Sequence, residues 1–471
     1  MEPPELESCI MRTPPLFSTL RVNLHRLSRE EAQRRVLVLL NRDDDTADSS
    51  IPGAKAAVGP SFAVSAHKSL PDVILIRGSG PNIITPSALE IYVDRLCGRS
   101  LMRGALLYAA GVLSSSRNFG VGELASIWVD LERSTLKGEK RRLPSGKKLF
   151  IGNGPTMLSR KQIFTMNGAL AAGQVGVRLT ERVWKLPSLS ALLEADDVLA
   201  AGCAAQNLPS ILCGHVLGAK AGERVLDMCA APGGKATHVA SLMGDDGVVL
   251  CLDVNANRLA EGAAFARRQG LQSLRWIKFD ATKAFRSDAG SDGVSDLPPW
   301  PADSFDRVLL DAPCSGSGLR PATIRHATEE QQRSYPPLQR LLLANAVELL
   351  KVGGTLVYST CTLDREENEC QVDWLLRTYE GRLRLASQEP FVLTQSSGGI
   401  PALTQKFDPQ LFCRRHGGEG CFSSSSSAAA AAVDFYDGEQ FAWSPPSGSE
   451  RQLSCDEDTN GFFLAKLVKI A

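Results

Sequence analysis

Between Arg307 and Gly318 the chain reads RVLLDAPCSGSG, and this stretch narrows the possible folds more than any other. The apolar residues Val308 to Leu310 read as a strand buried on both faces, which Pro313 and the alternating glycines stop. Asp311 and Cys314 therefore sit where that strand delivers them. A second strand, Thr355 to Ser359, ends the same way and hands over Cys361 in the sequence STCT. Two thiols at the carboxyl ends of two strands of an open α/β sheet face one crevice, the place where such sheets bind ligands. A lone buried cysteine is packing material more often than a reagent. The pair is harder to assign to packing, because an Asp-x-Pro-Cys turn exposes backbone and charge that a packing cysteine does not need.

The surroundings agree with an α/β sheet. From about Leu186 strand patterns alternate with helix patterns: GERVLDMCAAPGGKATHVASLM, GVVLCLDV, a helix through Arg267, LRWIKFD, FDRVLLDAPC, a helix through LQRLLLANAVELL, and LVYSTC. That alternation predicts a doubly wound parallel sheet, closed by a last strand in GFFLAKLVKI. Residues 287–301 read as a surface insertion, and the Ser and Ala runs at 423–432 as a low-complexity, disordered tract. Upstream, Phe17 to Asn23 reads as a strand and Arg29 to Leu40 as an amphipathic helix, an N-terminal α+β segment over 1–83. Between about Ile84 and Val183 short apolar runs separated by glycine turns predict a small β-barrel. A chain of 471 residues exceeds the usual size of one core, so the division is 1–83, 84–183 and 184–471, with a catalytic core at about 221–385.

Formal charge is +0, so the chain is no polycation and basic patches must be sought locally. One lies in the barrel region: Arg133, Lys137, Lys140, Arg141, Arg142, Lys147, Lys148, Arg160 and Lys161, with only Glu132 and Glu139 nearby. A charge run is commonly a solvated face. Nine cations in a neutral chain also make a field suited to phosphate. The N-terminus has acids and prolines where a signal peptide needs a basic start and an apolar core, and no apolar run approaches a membrane span. These features predict a soluble cytoplasmic protein whose 12 cysteines stay reduced. The cysteines form no C-x-x-C pair, there is no H-E-x-x-H and the 6 histidines are scattered, so no metal site is expected.

The strand Val225 to Met228 runs into CAAPGGK. Gly233 and Gly234 there let backbone approach a ligand at a helix N-terminus. A triphosphate loop would need Gly where Cys229 stands and Ser or Thr where Ala236 stands. Asp253 ends the next strand about twenty residues past the glycines, the spacing at which an acid accepts from ribose hydroxyls, and Asp280 ends the strand after that, placed to reach an adenine. An adenosine-type cofactor fits.

Two thiols and an acid beside such a cofactor suit one difficult reaction. Carbon 5 of a pyrimidine is a poor nucleophile until a thiolate adds to carbon 6 and pushes electron density across. A neighbouring cation such as Lys235 would favour that thiolate. Asp311 is the candidate acid at nitrogen 3, and a second thiol suits release of the first.

Taken together and in order, CAAPGGK, LLDAPCSG and YSTCT resemble the Sun-family RNA (cytosine-5)-methyltransferases, which use S-adenosylmethionine. The resemblance implies a Rossmann-like methyltransferase domain with Cys361 as nucleophile and Cys314 assisting release. It implies that Cys229, Ala230, Ala231, Pro232, Gly233, Gly234 and Lys235, with Asp253, Asp280 and Asp311, hold the cofactor, Lys235 and Asp311 also lying near the base. LMRGALLYAAGV and GNGPTMLSRKQIF resemble a PUA domain, an RNA-binding barrel. A PUA barrel inserted ahead of the catalytic domain resembles the family member that modifies the acceptor end of tRNA. The implied partner is therefore tRNA, bound by a monomer with neither membrane nor metal. The alternatives are a DNA cytosine-5 methyltransferase using Cys314, and a catalytically silent RNA-binding protein.

Overall fold

A computed structural model describes residues 13–45, 62–165, 173–287, 295–322, 327–386, 404–406 and 462–471. The tract at 423–432 lies outside them, as do residues 288–294 of the insertion.

The central sheet follows from four runs of β-branched and leucine residues buried on both faces. Its strand order is Leu274–Lys278, Val248–Asp253, Arg224–Asp227, Phe305–Asp311, Leu350–Thr360, Phe462–Lys469, Leu383–Leu385. The first five are parallel; Phe462–Lys469, the expected last strand, runs antiparallel to Leu350–Thr360. Because Arg224–Asp227 is earliest in the chain yet central, the winding reverses between it and Phe305–Asp311. Both strands end in aspartates at that reversal, where open α/β sheets bind ligands. Helix Glu329–Leu349 covers one face through Leu342, Leu343, Ala346 and Val347; helices Leu208–Leu217 and Gly234–Leu242 cover the other through Cys213, Val216, Ala236 and Val239.

Two smaller units stand before it. Strands Leu89–Val93, Val112–Ser115, Leu124–Asp130, Lys148–Pro155 and Glu181–Arg182 form one sheet, with Leu107–Tyr108 and Val175–Val177 as a second pair, around a core of Ile91, Val93, Ile127, Val129, Ile151 and Val177. Helix Arg95–Met102 packs on this unit through Leu101 and Met102; Asp94 caps it by accepting from Cys97 N at 2.7 Å. In the N-terminal unit, helix Arg29–Asp45 packs on a four-stranded antiparallel sheet ordered Cys203–Ala205, Phe17–Val22, Val73–Arg77, Ala63–Ala66.

Two expectations need correction. Residues 189–205, assigned by pattern to the catalytic domain, complete the N-terminal unit: Ala205 pairs with Leu20, and Leu192, Leu199 and Cys203 share a core with Val22 and Val36. A three-residue strand carries too little periodicity to announce its partner. The end of the 287–301 insertion is no surface loop either. Trp300 is fully buried, edge-on to Phe305 at 4.9 Å, its Nε1 donating to Ser295 O. Among the described residues no helix is long and apolar enough to cross a membrane.

Candidate functional site

Register along the parallel strands sets the site. Asp311 pairs with Ser359 and Leu309 with Asp227, so Asp227, Asp311 and the Thr360–Cys361 corner share one edge. Past that edge the two motif loops close on each other: Cys314 Sγ lies 3.3 Å from Cys361 Sγ, and Gly318 N donates to Cys361 O at 3.0 Å.

A buried polar web holds them there. Ser315 Oγ and Ser317 Oγ meet Thr362 Oγ1 at 2.7 and 2.8 Å. Ser315 N and Gln339 Nε2 each donate to Glu367 Oε2 at 3.0 Å, and Gln339 Nε2 also reaches Pro313 O at 2.9 Å. Tyr358 Oη donates to Glu367 O at 2.6 Å. Burial raises the Glu367 carboxyl, opposed by the donors from Ser315 and Gln339.

Charge in the crevice centres on Lys235. Its Nζ meets Asp311 Oδ2 at 2.6 Å, while Asp311 Oδ1 accepts from Ser359 Oγ at 2.8 Å. Burial lowers the lysine pKa most, but the charge and hydrogen bond of Asp311 and the other neighbours, Asp227 among them, together outweigh it, so Lys235 stays protonated. The two thiols share a single readily lost proton. The hydrogen bond between the two sulfurs holds the Cys361 pKa below its ordinary value against burial, with Lys235 helping and Asp311 opposing. The same bond, then burial, raises Cys314. Of the two, Cys361 is therefore the sulfur that gives up its proton the more readily.

The glycine loop suits a ligand that approaches backbone. Gly233 has φ 102°, and a Cβ there would stand 2.7 Å from Trp276 Cη2. Asp253 accepts from Ala231 N at 3.2 Å and Asn255 N at 2.8 Å. Asp280 accepts from Thr282 Oγ1 at 2.7 Å, and this bond foremost lowers its pKa. Cys229, Ala230 and Ala231 are largely enclosed. Sequence reading passed over Asp227, which is fully buried with Oδ2 lacking a hydrogen-bond partner; burial, then the charge of Asp311, pushes its carboxyl up to about 7. Asp227, Asp253, Asp280 and Asp311 along one edge, a helix N-terminus and an orphaned carboxyl oxygen together fit a cationic sulfonium nucleoside with ribose hydroxyls and an amine.

Also unforeseen were the web residues and Arg99 of helix Arg95–Met102. Burial lowers the Arg99 guanidinium pKa, and the Cys361 charge opposes that lowering, so the small β-unit brings a cation within electrostatic reach of the Cys361 sulfur. Ser and Thr around two cysteines were a readable cue for the web; nothing local in the sequence pointed to Arg99.

The basic loop is less uniform than its sequence. Lys148 is 7% exposed and pairs with Glu90, which also takes Arg142 Nε at 2.8 Å; Lys147 meets Glu132 at 2.6 Å and Arg160 donates to Gly138 O. Arg133, Lys137, Lys140, Arg141 and Lys161 remain exposed. Among the described residues one group gathers three residues able to hold a metal, Asp72, His215 and His238. Each histidine Nε2 stands 2.8 Å from an Asp72 oxygen. Ligands of one tetrahedral zinc, with bonds of about 2.0 Å, stand about 3.3 Å apart, so these contacts are hydrogen bonds.

Comparison with known proteins places this geometry. The family model described as 16S rRNA methyltransferase RsmB/F matches residues 215–426. The mouse tRNA (cytosine(72)-C(5))-methyltransferase NSUN6 is 41% identical over 86% of this chain and 82% of its own length. The human protein of that name is 37% identical over 97% and 89%. The crystal structure of NSun6 from Pyrococcus horikoshii with SFG superposes with a TM-score of 0.68 at 25% identity, covering 98% of this chain and 93% of that one.

Proposed function

The chain belongs to the Sun family of RNA (cytosine-5)-methyltransferases, and from that membership we propose that it methylates carbon 5 of a cytosine in the acceptor stem of tRNA, next to the 3′ CCA end. S-adenosylmethionine is the donor. The observation that carries the residue assignment is the thiol pair at 3.3 Å beside the Asp311–Lys235 ion pair, at the point where the sheet reverses its winding.

The Cys229–Lys235 loop, Asp253 and Asp280 hold the donor, which supplies an electrophilic methyl when bound. Cys361 thiolate adds to carbon 6 of the cytosine, and Asp311 stabilises the displaced density by sharing a proton at nitrogen 3. Carbon 5 then takes the methyl. That carbon gives its proton to water, the freed electron pair restores the double bond to carbon 6, and the Cys361 sulfur leaves as thiolate, a departure Cys314 assists by hydrogen bonding from 3.3 Å. Lys235 keeps Asp311 oriented and adds positive charge near the thiolate.

Residues 84–183 serve as a PUA-type RNA-binding barrel that grips the acceptor end, and the N-terminal unit packs on the catalytic domain, in a cytoplasmic monomer that needs no metal. Unstacking the target costs about a few kcal/mol, least near a helix end, which favours an acceptor terminus. Bisulfite sequencing of total tRNA incubated with the protein and S-adenosylmethionine tests the reading: one protected cytosine beside CCA is expected, and protection elsewhere, or none, overturns the substrate.

A further inference from the structure

Helix Gly234–Leu242 begins at the donor loop and is buried on two sides. Ala236, Val239 and Ala240 pack on the sheet. Its other face carries Thr237, His238 and Ser241, all buried and polar. Each is met by the N-terminal unit: Arg21 Nη2 donates to Thr237 Oγ1 at 3.2 Å, Asp72 Oδ2 meets His238 Nε2 at 2.8 Å, and Ser241 Oγ donates to Asn23 Oδ1 at 3.1 Å.

Arg21 does more than fill this face. Its Nη1 donates to Gly234 O at 2.7 Å and to Gln206 Oε1 at 2.8 Å. Gln206 is held in turn by Thr19 Oγ1, which donates to its backbone carbonyl, and its amide stands over Gly234, 3.9 Å from where a Cβ would be. Arg21 is fully buried, yet every one of these partners is neutral. A buried guanidinium with no carboxylate in hydrogen-bond contact among the described residues costs stability that an apolar side chain would not, and burial lowers its pKa to about 10, opposed in part by the Asp72 charge. Packing alone does not call for such a residue.

We propose that Arg21 is a positioning residue for the methyl donor, holding the first turn of the Gly234–Leu242 helix through the Gly234 carbonyl and Gln206. The peptide unit is planar, so fixing the Gly234 carbonyl also fixes the N–H of Lys235 in the same unit. That N–H belongs to the helix start that faces an anionic or polar ligand group. Thr237 Oγ1, itself bound by Arg21, donates to Gly233 O at 2.7 Å and secures the preceding unit as well. The N-terminal unit thereby becomes part of the cofactor site without touching the cofactor.

The inference rests on the donor reading of the Cys229–Lys235 loop, and the test separates the two. S-adenosylhomocysteine is titrated calorimetrically into the full chain and into Arg21→Met, Arg21→Lys, Gln206→Leu and Asp72→Asn, with cofactor-free melting curves and binding of an acceptor-stem hairpin ending in CCA measured in parallel. Loss of hydrogen bonds from a charged donor predicts a rise in Kd of about tenfold or more for Arg21→Met, a smaller rise for Arg21→Lys, and hairpin affinity within about twofold of wild type. Gln206→Leu leaves Arg21 in place and should also weaken binding, which keeps the test decisive if Arg21→Met fails to fold. Asp72→Asn removes a charge that favours the Arg21 cation but none of its hydrogen bonds, and should lower Tm with Kd raised less than in Arg21→Met. Wild-type affinity in Arg21→Met or Gln206→Leu, or equal weakening in Asp72→Asn, overturns the brace. Absence of binding by the wild-type chain overturns the donor site itself.

Discussion

The carboxyl edge of the central sheet and the basic loop of the small β-unit both stand out in sequence, one by its motifs and the other by its charge. Along the sheet edge the motif residues converge: Asp311, Lys235, Cys314 and Cys361 are joined by contacts of 2.6 and 3.3 Å. Along the loop they part company, since Lys147, Lys148, Arg142 and Arg160 are taken up by local partners, with Lys148 buried, while Arg133, Lys137, Lys140, Arg141 and Lys161 face outward. Parallel strands deliver their ends to a common line whatever the loops do, so position along a strand is a reliable address. A cation in a loop has no such address, and the nearest carboxylate decides whether it is available for phosphate.

The sharpest way to break the comparison is at the sulfur. Cys361→Ala should cut methyl transfer by on the order of 10⁴ or more, measured as labelled methyl incorporation, with tRNA binding unchanged; robust turnover would move the nucleophile to Cys314. Next, Cys314→Ala should leave RNA bonded to Cys361 after one turnover, visible as a slow band on a denaturing gel. A clean gel would remove Cys314 from the release step.

A smaller effect is expected from the buried acid between the motifs. The folded chain holds the Asp227 carboxyl up at about 7, above its ordinary 3.8. Its contribution to stability is therefore complete below pH 3.8 and is lost as pH rises through about 7. Asp227→Asn should raise Tm at pH 8 by on the order of 5 °C and leave it nearly unchanged at pH 4. An equal change at both pH values would mean that the carboxyl does not titrate in that window.

The smallest effect tests the loop. Arg141→Ala should weaken tRNA binding and reduce its salt slope by about 1, whereas Lys148→Ala should lower Tm and leave the slope alone. If both change the slope alike, the inward pairing of Lys148 opens when RNA binds.

Much of the active edge was legible because its signals are local. CAAPGGK shows its glycines and helix start within a few residues, and DAPC and STC each mark the end of an apolar run. The web around Glu367 was not legible, since Gln339 and Ser315 are brought to it from separate elements by the fold of helix Glu329–Leu349 over the sheet. Residues 189–205 went to the wrong unit because three residues of strand announce neither partner nor register. Trp300 was misplaced because its Pro- and Gly-rich neighbours read as surface whatever the ring does.

By itself the sequence determined the parallel sheet, the glycine loop at its edge and the placing of two sulfurs and an acid at strand ends, because each depends on side-chain period and on residues within one turn of one another. Tertiary structure decided that the two thiols meet at 3.3 Å, which loop cations face solvent, and that Arg21 reaches Gly234 across 213 residues of chain. Those outcomes depend on distances between separate elements, and a hydrogen bond of under 3 Å exists only once packing has brought both partners to one place.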